Sequence, residues 1–283
     1  MIPSLVITFR ETLEAALVVG IVLSFLSRTR QQQYRTAVYV GVFAGIVGSL
    51  LGAVLFTALA GGFTGRAEEI FEGVTMLVGA LLLTTMILWM LKQRHIAKEL
   101  ESKVATEVAQ ANRIGLFSLV FLAVLREGVE TVIFLGAASA ASTSNNVLGA
   151  LAGISGAVLL RYAMFVGSRK IDIKTFFNVT SVLLILFAAG LVAQGVHELQ
   201  EAHLIPTVIE HVWDINPPVN ADGSYPVLHE NGYVGGLLKS LFGYNGNPSL
   251  VEILSYFTYL AAVVVASRKS RSSTRVSIQP SEV

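Results

Sequence analysis

Apolar residues fall in long blocks along this chain, and polar residues collect between the blocks. A helix needs about 20 mostly apolar residues to cross the hydrocarbon core of a bilayer. Seven stretches fit: 3–27, 37–60, 70–91, 114–139, 146–167, 174–196 and 249–267. The pattern predicts an all-α integral membrane protein with seven transmembrane helices. Residues 92–113 mix acids and bases with Ala, Leu and Val at loose helical spacing, so a helical hairpin arm is expected there. Residues 197–248 read as one long loop, and 268–283 as a disordered, Ser-rich basic tail.

The basic residues orient these blocks. Arg28, Arg30 and Arg35 follow the first span, and Lys92, Arg94, Lys98, Lys103 and Arg113 follow the third. Arg169, Lys170 and Lys174 follow the fifth, and Arg268, Lys269, Arg271 and Arg275 follow the last. The alternate loops hold only Arg66 and Lys239. Lys and Arg accumulate on the cytoplasmic side. The N-terminus is therefore expected outside, the C-terminus in the cytoplasm, the 92–113 arm inside and the 197–248 loop outside. The chain would be a multi-pass protein of the cytoplasmic (inner) membrane.

Composition agrees: 53% of residues are hydrophobic and 14% charged, against about 25% charged in soluble domains. A net charge of +1 without a basic stripe excludes nucleic acid as a partner. There is no cysteine, hence no disulfide and no thiolate for a soft metal. The first block lacks a basic leader and is interrupted by Arg10, Glu11 and Glu14, so it reads as a retained span.

Those three charges are the chain's main chemical signal. Arg10-Glu11-Thr12-Leu13-Glu14 and Arg126-Glu127-Gly128-Val129-Glu130 both fit Arg-Glu-x-x-Glu, and both lie inside apolar spans. Each ionised residue at membrane depth costs on the order of 3 kcal/mol. At about 100° per residue, the three charges of each motif share one helix face. Arg10 can neutralise Glu14, and Arg126 can neutralise Glu130, as i,i+4 pairs. Glu11 and Glu127 are less committed. A purely structural charge lock would need matched charge, and four carboxylates against two guanidiniums leave an excess of acid. That excess suits a multivalent cation.

The motifs also align the two halves of the chain. Each half, 1–91 and 114–196, runs motif helix, second helix, third helix, and Gly73-Val74-Thr75-Met76-Leu77 stands where the other half has Asn178-Val179-Thr180-Ser181-Val182. Three spans per half is odd, so the halves point opposite ways. Residues 1–196 thus read as two inverted three-helix repeats joined by the arm, with the seventh helix added. Such repeats place transport sites where they meet, near the midplane.

More acid lies on the outer side. Glu69 and Glu72 share a face at the start of the third span, while Glu68 suits the helix dipole there. His197, Glu198, Glu201 and His203 follow the sixth span and form a possible outer metal capture site. The alternative is a solvated loop. Carboxylate ligands select hard cations such as ferric iron, manganese, magnesium or calcium, and the residues alone do not choose among them. No His-Glu-x-x-His occurs and no histidine lies well inside a span, so an intramembrane enzyme is not expected. Another divalent-metal or proton-coupled cation transporter would use the same acids.

Paired Arg-Glu-x-x-Glu motifs in spans one and four resemble the oxidase-dependent iron transporter family, which comprises fungal high-affinity iron permeases and bacterial EfeU-type permeases. The likeness extends to Glu69-Ile70-Phe71-Glu72-Gly73 and to Phe242-Gly243-Tyr244. The resemblance implies iron ions as the transported substrate, with no permanently bound cofactor. It implies Glu11, Glu14, Glu127 and Glu130 as ligands, and Glu69 and Glu72 on the way in. Arg10 and Arg126 would balance charge. It also implies partners: a periplasmic iron-binding protein and a haem peroxidase in the bacterial branch, or a multicopper ferroxidase in the fungal one. Arg161 has no place in that pattern, and Phe177 stands near the position equivalent to Glu72.

Overall fold

The computed structural model describes residues 2–92, 96–141, 146–166, 173–220 and 222–276, without the side chains of 90–92, 96–98, 162–166, 173–178, 240 and 270–276. All regular structure among these residues is helical: α1 (Ile2–Arg28), a short 3-10 turn (Gln32–Tyr34), α2 (Arg35–Ala60), α3 (Arg66–Lys92), α4 (Ile96–Ala109), α5 (Arg113–Ala140), α6 (Asn146–Val166), α7 (Ile173–Glu201), α8 (Tyr233–Phe242) and α9 (Leu250–Val276). Helices suit a bilayer because they satisfy their own backbone groups. Four helical stretches are long and apolar enough to cross one: Gln32–Ala60, Arg66–Trp89, Val179–Glu201 and Leu250–Lys269. This is a multi-pass membrane protein. The motif charges keep α1 and α5 out of that set, although at 27 and 28 residues both have the length.

Several expectations need adjusting. Among the described residues of the 92–113 arm there is a single helix, α4, rather than the expected hairpin. α7 runs on to Glu201, so His197, Glu198 and Glu201 are helical and not part of a loop. The segment between α7 and α9 contains a helix of its own, α8. α9 continues to Val276, into the stretch expected to lack structure; residues 277–283 lie outside the described residues, as do the side chains needed to compare Phe177 with Glu72.

Local signals set the helix ends. Asn112 caps α5 by accepting from the Gly115 N–H at 2.9 Å. Ser249 and Glu252 form a reciprocal capping box at α9: Ser249 N–H donates to Glu252 Oε1 (3.0 Å) and Glu252 N–H to Ser249 Oγ (3.2 Å). Gly243 ends α8 with φ +68°, the left-handed conformation that favours glycine, and its backbone lies against Gly190 of α7.

The broadest packings join α1 to α6, α2 to α5 and α3 to α7. Small residues make the first two close. A Cβ on Gly45 of α2 would come within 2.8 Å of the Val124 Cβ, and one on Gly156 of α6 within 3.2 Å of the Phe9 ring. The spacing recurs: Gly41, Gly45 and Gly48 in α2 match Gly149, Gly153 and Gly156 in α6, both within a Gly-x-x-Ala-Gly-Ile-x-Gly string. Arg161 of α6 finds its place here, with its guanidinium against Gly20 of α1. Where α3 meets α7, Gly73 and Gly195 touch backbone to backbone. Thr75 and Thr180, which the sequence comparison of the two halves aligns, are both buried.

Two apolar cores result. One gathers Ile7, Met76, Phe134 and Leu191 among α1, α3, α5 and α7. The other gathers Val22, Leu26, Val38, Leu116 and Val124 with Val104 of α4. Arg28 at the end of α1 pairs with Glu101 of α4, tying the arm to the bundle.

Candidate cation site between the motif helices

α1 packs on α5, and the motif faces meet. One carboxylate oxygen from each of Glu11, Glu14 and Glu127 lies within 4.8 Å of the others. Glu130 is within electrostatic reach of Glu14. The i,i+4 pairs form as helical spacing requires: Arg10 Nε to Glu14 Oε1 at 3.0 Å, and Arg126 Nε to Glu130 Oε1 at 2.8 Å. Arg126 Nε also stands 3.8 Å from Glu127 Oε1.

Burial separates these groups. Arg10, Glu11 and Glu127 are 0%, 2% and 8% exposed, whereas the Arg126 side chain is 51% exposed. Both oxygens of Glu11, and Oε2 of Glu127 and of Glu130, are buried and accept no hydrogen bond. A buried carboxylate without donors is costly unless a counter-charge compensates it. Oxygen ligands from several carboxylates at this spacing are what a hard cation takes.

The apolar cores bracket the cluster along both helices. On α1, Ile7 precedes the motif, and Val22 and Leu26 follow it; on α5, Leu116 and Val124 precede it and Phe134 follows. The cluster thus lies between two apolar cores along both helices.

The other acids named from the sequence lie elsewhere. Glu69 and Glu72 of α3 are outside the compact group and face α7, where Glu198 feels both. His197 is occupied: Nδ1 contacts Glu252 Oε1 at 3.1 Å and Nε2 contacts Glu201 Oε1 at 3.2 Å. His203 is exposed beyond the end of α7. Sequence reasoning passed over Glu252, which is buried and also accepts from Asn245 Nδ2 at 2.8 Å; the Ser-x-x-Glu cap at 249–252 was its signal. A cavity of about 370 Å³ beside Glu252, lined by Gln194, Trp213, Tyr244, Tyr256 and Phe257, contains no motif residue.

Residues 1–272 match the iron permease FTR1 family. The ferrous iron permease EfeU of Escherichia coli O6:H1 (strain CFT073) is 32% identical over 269 residues, covering 94% of each chain. That of Yersinia pestis is 32% identical over 263 residues, covering 92% of this chain and 90% of its own. No solved structure matches. With its two in-register motifs meeting at one buried carboxylate cluster, and with that match along nearly its whole length, the chain belongs to the iron permease FTR1 family.

Proposed function

We propose that this protein imports iron ions across the cytoplasmic membrane through the Glu11, Glu14, Glu127 and Glu130 cluster, as a transporter rather than an enzyme. The observation that carries the reading is the convergence of Glu11, Glu14 and Glu127, where both oxygens of Glu11 and one of Glu127 are buried and accept no hydrogen bond. The cation would supply the missing charge. Family membership favours iron over the other hard ions, and the relatives' names favour its ferrous form.

Seven helices, α1–α3, α5–α7 and α9, would span the bilayer, the N-terminus outside and the C-terminus in the cytoplasm. α1–α3 and α5–α7 would be inverted repeats. Exchanging the two sets maps each of the three broad packings onto another or onto itself, and the shared glycine spacing of α2 and α6 supports the same pairing. Glu69, Glu72 and Glu198 would gather iron at the outer end, and the core around Ile7 and Phe134 would close the path to the motif. A periplasmic iron-binding protein with a haem peroxidase, or a multicopper ferroxidase, would deliver the ion.

The test is radio-iron uptake into proteoliposomes with ferrous or ferric iron, with manganese and protons as competitors. Uptake should require iron and be lost in Glu11→Gln and Glu127→Gln. Uptake unimpaired in both variants would sink the site assignment. Preference for manganese over iron would shift the substrate.

A further inference from the structure

The two motif arginines are chemically alike and sit differently. Arg10 is fully buried, whereas half of the Arg126 side chain is exposed. The Arg126 guanidinium lies over the indole of Trp89 on α3, with Cζ 5.6 Å from the ring centroid. Its Nε meanwhile holds Glu130 and approaches Glu127. One ring therefore braces the counter-charge of two site carboxylates.

Helical side chains lean toward the helix N-terminus. In the proposed orientation the Arg126 Cα–Cβ bond tilts toward the cytoplasm, and the C-terminal end of α3, which carries Trp89 against the guanidinium, lies on that side. A guanidinium exposed to lipid at membrane depth costs on the order of 3 kcal/mol or more. Its exposed half is better accommodated by a water-filled recess that reaches the carboxylates from the inner side.

We propose that Trp89 is a positioning residue for cation release, its ring holding the Arg126 guanidinium against Glu130 and Glu127 on the side from which the ion leaves. The inference rests on the iron-permease reading. Freed of the ring, Arg126 swings out into the recess, as long basic side chains do. The carboxylates then lose counter-charge, hold the cation more tightly and release it more slowly.

Initial rates of iron uptake into proteoliposomes test this with wild-type, Trp89→Phe and Trp89→Leu proteins. Leu keeps apolar bulk without a π face. A cation–π contact of this kind corresponds to roughly a threefold to tenfold effect. Trp89→Leu should lower the maximal rate by about that factor and lower the half-saturating iron concentration with it, while Trp89→Phe stays near wild type. Loss of packing alone would slow both variants at unchanged or raised half-saturation, and that result overturns the assignment. So does a Trp89→Leu protein that behaves as wild type. A second measurement keeps the native ring: in Trp213→Phe, Trp89 is the remaining indole of the two. Iron binding should shift its emission maximum as Arg126 yields to the metal, and an unmoved maximum at saturating iron overturns the proposal. Absence of iron uptake by the wild-type protein overturns the permease reading itself, whereas failure of the Trp89 role leaves wild-type uptake intact.

Discussion

Glu11 of α1 and Glu127 of α5 hold the same place in their two motifs, and the fold brings them to one buried point, where together with Glu14 their carboxylates approach within 4.8 Å. Their neighbours Glu14 and Glu130 are each tied to an arginine. The cluster thus contains two acids hydrogen-bonded to an arginine, Glu14 and Glu130, and two that are not, Glu11 and Glu127.

This division predicts opposite effects on stability and transport. Glu11→Gln should abolish iron uptake and yet leave the metal-free protein as stable or more stable, because it removes an uncompensated buried charge. A gain on the order of 1 kcal/mol is expected. Thermal unfolding in detergent without metal, beside uptake, checks it; a clear loss of stability would count against the charge argument.

Removing the partner of a tethered acid should do the reverse. Arg10→Leu strands Glu14 beside Glu11 in a buried site and should cost about 3–5 kcal/mol. The double change Arg10→Leu with Glu14→Leu should recover much of that cost without recovering transport. Unfolding midpoints of the single and double variants give the coupling.

Gly45 and Gly153 let α2 and α6 pack closely on the motif helices α5 and α1. Gly45→Val would drive a side chain into Val124, and Gly153→Val would meet Thr8 and Phe9. Overpacking of this kind costs roughly 1–3 kcal/mol. Both variants should lower the unfolding temperature, whereas Gly52→Val, which meets no atom within 4 Å, should not.

The apolar core on the Phe134 side should act as a barrier. Because the chain has no cysteine, a thiol placed at Leu13 is the sole label site. Labelling from the outer face should be slow, and it should accelerate when Phe134→Ala thins the barrier. Fast labelling of the otherwise native protein would show that the carboxylates are not closed off.

His197 and Glu252 join α7 to α9, with Ser249 bonded to Gln200 at 2.8 Å beside them. Glu252→Ala strips acceptors from His197, Asn245 and the Ser249 N–H together, and should cost on the order of 2 kcal/mol. If His197 serves this junction rather than metal capture, His197→Gln should leave the iron dependence of uptake unchanged.

Much of this fold was legible along the chain. Block length gave an all-helical fold with four helical stretches long and apolar enough to cross a bilayer, because a bilayer demands apolar runs of fixed length and self-satisfied backbone. The motif spacing gave Arg10–Glu14 and Arg126–Glu130, because i,i+4 contacts are local to a helix. Where α7 ends, that α4 is one helix, and that α9 runs past the last apolar residue were not legible. Polar residues extend a helix without announcing it when neighbours such as Glu252 take up His197.

The sequence by itself determined that four carboxylates and two guanidiniums sit on one face of two largely apolar helical stretches, since that follows from hydropathy and helical periodicity alone. Only the tertiary structure decided which of them meet and which are shielded. Glu11 and Glu127 converge because α1 packs on α5, and Arg10 is buried while Arg126 rests exposed on Trp89 because different helices pack beside them. Charge and period are properties of one segment; approach, burial and the company of a side chain belong to pairs of segments, which packing alone brings together.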